Sequence, residues 1–120
     1  MKELLLSDGD FNLMQIIWDN APLESGKLVK LCAEEFDWKK STTYTMLKRL
    51  CEKGMVENEN SVIKVLVSRE EIQKVESDYL IEKSFAGSLP AFMSAFLGNG
   101  KISKKEAKKL IDLIEEHIDE

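Results

Sequence analysis

Between Lys39 and Lys53 the chain gathers side chains able to hold an anionic polymer. Hydroxyls sit at Ser41, Thr42 and Thr45, a phenol at Tyr44, and cations at Lys39, Lys40, Lys48, Arg49 and Lys53, against the single acid Glu52. Hydroxyls can bond phosphate oxygens or base edges, a threonine methyl can pack on a thymine methyl, and Tyr44 offers both apolar contact and a phenolic donor. The lysines would set affinity through counterion release, and a helix N-terminus adds backbone donors for a phosphate. Thr43, Met46, Leu47, Leu50 and Cys51 recur at helical spacing, so they are expected to face inward. Ser41, Thr42, Tyr44, Thr45 and Lys48 then face outward from roughly the first half of the helix, the part of a recognition helix that reaches base edges in a major groove. Arg49 has a second option, pairing with an acid inside its own domain. A solvated charged helix is the bland alternative for the whole stretch.

Other chemistries find little support. Cys32 and Cys51 lie among apolar neighbours outside any CxxC or Cys/His spacing, which suits reduced core thiols, with a redox switch as the alternative. The single histidine, His117, stands among Glu115, Glu116 and Asp119 and reads as a surface residue with no second imidazole for a metal or relay. Nothing resembles a catalytic dyad, a Ser/His or Cys/His set, or a phosphate-cradling glycine loop, so the chain is not expected to be an enzyme or to carry a cofactor.

Composition narrows the class further. The 120 residues are 43% apolar and 32% charged, which indicates a globular chain and excludes disorder and collagen-like repeats. No apolar run approaches the roughly 20 residues that span a bilayer, and the start MKELLLSDGD turns acidic too early for a signal peptide, so a cytoplasmic location is expected. The net charge of −5 is far from the basic footprint of a nucleic-acid binder. Affinity for DNA must then come from local geometry and from doubling the site.

The elements that position these residues are legible from period and caps. Ser7, with Asp10 three residues on, resembles a capping box before a helix that buries Phe11, Met14, Ile17 and Trp18 until Ala21-Pro22. A second helix is expected from Ser25 to about Asp37, carrying Leu28, Val29, Leu31, Cys32 and Phe36 inward. Ser41 or Thr42 would cap the third helix, which runs to Gly54. Residues 55–67 are rich in β-branched residues around the polar turn from Glu57 to Ser61 and predict a short hairpin. Three helices and a hairpin suggest a winged helix.

Three further helices are expected, one capped by Ser68, one after Gly87-Ser88 with Pro90 in its first turn, and one capped by Ser103. Their apolar residues include Ile72, Val75, Tyr79, Leu89, Phe92, Phe96, Leu110, Ile111, Ile114 and Ile118. A 53-residue segment of three one-sided helices buries too little to stand alone. The reading is a mainly α chain: a winged helix-turn-helix domain over residues 1–67 and a helical dimerisation arm over 68–120, with a cap folded back on the first domain as the alternative.

At this point the sequence resembles the BlaI/MecI/CopY family of penicillinase-type transcriptional repressors. The likeness runs from LSDGDFNLMQIIWDNAPLESGKLVKLC through WKKSTTYTMLKRLCEKG to VSREEI and FAGSLPAFMSAFLGNGKISKKEAKKLIDLIEE. The resemblance implies a homodimer that binds a palindromic operator of a β-lactam-resistance, metal or stress-response gene. It also implies groove-facing roles for Ser41, Thr42, Tyr44, Thr45 and Lys48, with Trp38 preceding the recognition helix. Lys39, Lys40 and Lys53 complete the expected DNA-binding set. The β-lactam branch is released when a membrane sensor-protease system cuts the arm at an Asn-Phe bond, which residues 88–96 lack, and the copper branch has a C-terminal CxC pair, absent after Cys51. Relatives often carry basic residues in the wing, whereas Glu57-Asn58-Glu59-Asn60-Ser61 is acidic. A winged-helix protein-interaction module without DNA binding is therefore the competing reading.

Overall fold

The computed structural model describes residues 4–119. Helix α1 (Asp8–Asn20) leads into a two-residue strand β1 (Leu23–Glu24), then α2 (Ser25–Phe36), α3 (Lys40–Glu52), the hairpin strands β2 (Val56–Glu59) and β3 (Val62–Val65), and helices α4 (Arg69–Phe85), α5 (Leu89–Leu97) and α6 (Lys104–Glu116). The sheet is antiparallel in the order β1-β3-β2, with Leu23 opposite Ile63 and Val56 opposite Val65. Three helices closed by such a hairpin form a winged helix-turn-helix.

Local chemistry accounts for most of the boundaries. The Ser7 hydroxyl accepts from the Asp10 amide at 3.1 Å and opens α1, and Ser88 and Ser103 do the same for α5 and α6. At α4 the box is reciprocal: Glu71 N–H donates to Ser68 Oγ at 3.1 Å, and Ser68 N–H donates to Glu71 Oε1 at 3.2 Å. Asp37 ends α2 in the left-handed region (φ 57°). Asn60 and Ser61 both take positive φ, 53° and 65°, as a two-residue primed turn with matched strand twist requires.

Two expectations change. Helix α3 begins at Lys40, one turn-fraction before the expected caps, because Thr43 N–H already bonds Lys39 C=O at 3.1 Å; Ser41 and Thr42 lie within its first turn, and no side chain caps it. Strand β1 escaped the sequence reading, since two residues after Pro22 are too few to show a period.

The packing separates two compact units between Leu80 and Ile81. The core of the first comprises Leu13, Met14 and Ile17 of α1, Leu28 and Cys32 of α2, Leu47 and Leu50 of α3, Val56 and Ile63 of the hairpin, and Ile72 of α4. Trp18 is tied in from the rim, its indole N–H donating to Val67 C=O at 3.0 Å. The first three turns of α4 thus belong to the winged unit, so the packing boundary falls later than residue 67. In the second unit Phe92 meets Phe85 edge-on at 5.4 Å and stacks on Phe96 at 5.9 Å, yet no residue of α5 or α6 is buried.

Candidate nucleic-acid interface

Helix α3 is anchored by one face and presents the other. Thr43, Leu47 and Leu50 are buried, Met46 and Cys51 half-buried, and Ser41, Thr42, Tyr44, Thr45 and Lys48 are exposed. The inward and outward sets expected from spacing are the ones found. The first turn of α3 holds no acid, and Lys39 and Lys40 stand at its positive end. The helix dipole is therefore uncompensated there, and an external anion would relieve both the backbone N–H groups and the lysines.

Tyr44 is less free than its outward position suggests. Its hydroxyl donates to Ser25 Oγ at the start of α2 at 3.4 Å, and Lys40 Nζ lies 5.9 Å from its ring centre. Ser25 is itself buried and its N–H donates to Ser61 C=O in the wing turn at 2.8 Å. The outward face of α3, the start of α2 and the wing turn are thereby joined.

Two of the expected contact residues are half-buried and engaged within the chain. Lys53 Nζ lies 3.2 Å from Asp10 Oδ2 and 3.4 Å from Leu5 C=O, which holds it on α1 rather than on the open face. Trp38 is half-buried against the core, its ring 5.1 Å from that of Phe36, so it seats the turn between α2 and α3. Arg49 takes its second option, reaching Asp10 Oδ2 at 3.4 Å. Arg49 stays exposed while paired, and Lys39, Lys40 and Lys48 are the exposed cations of the segment that no described acid pairs with.

Asp10 is the residue the sequence reading missed in this role. It is fully buried, and its carboxylate turns to Arg49 and Lys53 rather than back to the Ser7 amide. A signal was present: Asp10 precedes Leu13, Met14 and Ile17 by three, four and seven positions and so lies on the apolar stripe of α1. A carboxylate there needs a cationic partner.

The remaining expected residues sort by exposure. Glu57, Asn58, Glu59, Asn60 and Ser61 of the wing are exposed, with Glu57 opposite Lys64 across the hairpin. Ile72 and Val75, expected on the dimer face, are instead buried within this chain, because α4 closes the winged core. Tyr79, Phe92 and Leu110 are half-buried, and Leu89, Phe96, Ile111, Ile114 and Ile118 are exposed, Phe96 to 72%.

Both cysteines are free. Burial pushes the Cys32 thiol up, partly opposed by the Thr43 hydroxyl, and burial also raises Cys51, opposed by the Asn58 backbone and aided by the Glu52 charge. Both are therefore protonated at neutral pH. Among the described residues no group of three acidic, histidine or cysteine side chains could hold a metal, and no helix is long and apolar enough to cross a membrane.

Known proteins resemble this chain along most of its length. The family described as penicillinase repressor matches residues 6–116. The penicillinase repressor of Bacillus licheniformis is 30% identical over 119 residues, covering 93% of this chain and 91% of that protein. The methicillin resistance regulatory protein MecI of Staphylococcus aureus is 22% identical over 113 residues, covering 91% and 92%. The solution structure of the DNA-binding domain of the repressor BlaI aligns with a TM-score of 0.49 at 24% identity, over 55% of this chain and 85% of that one. With the family match running nearly end to end, the chain belongs to the penicillinase repressor family, whose members are transcriptional repressors and not enzymes.

Proposed function

We propose that this chain is a homodimeric repressor whose two α3 helices enter successive major grooves of a palindromic operator. The observation that carries this reading is the exposed face of α3, with Ser41, Thr42, Thr45 and Lys48 outward from a helix whose N-terminal charge is uncompensated. Thr45 and Tyr44 are the candidates for base contacts, and Lys39, Lys40 and Lys48 for phosphates.

The second unit supports the dimer. Leu89, Phe96, Ile111 and Ile114 are exposed apolar side chains on two helices that bury nothing of their own, with exposed Ile118 just beyond α6, a pattern that marks an interaction surface. A second copy, meeting it across a two-fold axis, would cover the same residues on both subunits and set the two α3 helices one turn of DNA, or a multiple, apart. Release by a membrane sensor-protease acting on the arm would need a bond other than Asn-Phe, which residues 88–96 lack.

The acidic wing favours one rival, a winged-helix module that binds protein alone. Mobility shift of the DNA upstream of the gene separates the two. A salt-sensitive complex that protects a dyad-symmetric site supports the repressor; no complex in dilute salt supports the rival.

A further inference from the structure

A cleft of about 600 Å³ opens on the winged unit where the end of α1, strand β3 and the start of α4 meet, on elements other than α3. Its size falls in the range of small-molecule sites, roughly 300–1,000 Å³. Trp18, Pro22 and Val65 give it apolar walls. The Trp18 indole N–H is already taken by Val67 C=O, so the ring offers the cleft only apolar surface.

The charges around it are arranged in a particular way. Arg69 stands 5.2 Å from the Trp18 ring centre and donates to Gln15 Oε1 at 3.0 Å and to Asp19 Oδ1 at 2.8 Å. Its charge is matched by Asp19, which makes it a fixed wall. Lys64 from β3 and Glu70 from α4 also line the cleft, both exposed; Lys64 stands opposite Glu57 across the hairpin, yet among the described residues neither Lys64 nor Glu70 closes an ion pair. An anion would be drawn to Lys64 and repelled by Glu70, and a cation the reverse. A molecule carrying both charges satisfies both.

We infer that this cleft binds a zwitterion with an apolar body, of the class of free amino acids with large apolar or aromatic side chains. The carboxylate is met by Lys64, the ammonium by Glu70, and the side chain by Trp18, Pro22 and Val65. Such a ligand would touch the end of α1, β3 and the start of α4 together, so its occupancy braces the wing against the helix that leaves the unit.

Trp18 supplies the readout. The full chain is titrated with phenylalanine, leucine and methionine while tryptophan emission is followed, with phenylalanine amide and N-acetylphenylalanine as the singly charged controls. A saturable change below about 10 mM is expected for the free amino acids, and affinity about tenfold weaker for either control. Lys64→Gln should bring phenylalanine down to the level of the amide and leave the amide unchanged; Glu70→Gln should do the same relative to the acetyl form. Both side chains are exposed, so neither change threatens folding, which circular dichroism verifies. Absence of a saturable change with all three amino acids, equal affinity for zwitterion and controls, or indifference to both substitutions would each overturn the inference. No DNA is involved, so the outcome is independent of the repressor reading.

Discussion

The fully buried carboxylate of Asp10 lies 3.2 Å from Nζ of Lys53, joining the first turn of α1 to the residue that caps the end of α3. Arg49 shares the same oxygen at 3.4 Å. The carboxylate that holds α3 in place therefore also takes up two of the positive charges that the sequence placed near it.

Removing that carboxylate should loosen the seat of α3. Arg49 is half exposed and can return to water, so the cost falls short of that for a fully buried pair. Asp10→Asn is expected to lower unfolding stability by roughly 1–3 kcal/mol, read from the urea midpoint at unchanged slope. An unchanged midpoint would mean that the ion pairs contribute nothing.

The cations of α3 should separate into two classes by salt dependence. Lys48→Ala should reduce the slope of log affinity against log salt by about 1, as loss of one phosphate contact does. Arg49→Ala should leave the slope nearly unchanged, because Asp10 already occupies that guanidinium. Equal slopes for the two variants would contradict the assignment. Thr45→Ala should cost roughly 1–3 kcal/mol of discrimination at one operator position if its side chain reads a base.

Much of this arrangement was legible in sequence because it is local. Ser7, Ser68 and Ser103 announce their helices by bonds spanning three residues, and the faces of α3 follow from its period. What was hidden is non-local. Lys53 looked like a DNA contact until Asp10, 43 residues away, was seen to hold it. Ile72 and Val75 showed an apolar stripe, but a stripe does not say what covers it, and the winged core does. The position of Trp38 before α3 is local, whereas its contact with Phe36 is set by the turn between α2 and α3.

The acidic wing should act as a brake on unspecific binding. Glu57→Lys with Glu59→Lys should tighten binding to unrelated duplex by about 0.2–1 kcal/mol per new exposed ion pair, measured by anisotropy at fixed salt. Unchanged or weaker binding would place the wing away from the phosphates.

The arm and the core should respond differently to the same kind of damage. Ile114 is 60% exposed, so Ile114→Asp should leave the winged unit folded while shifting sedimentation from dimer to monomer and weakening operator binding sharply. Ile72→Ala, by contrast, should cost about 2–5 kcal/mol of stability through the cavity it leaves. A dimer that survives Ile114→Asp would assign the interface to other residues.

The most direct measurement is a footprint of the purified chain on the DNA upstream of its gene, compared with that of Thr45→Ala. Protection of two half-sites one turn apart, or a multiple, that fades with the substitution is the result expected if paired α3 helices read the grooves. An unprotected fragment in dilute salt, or a footprint without dyad symmetry that Thr45→Ala leaves intact, would contradict it.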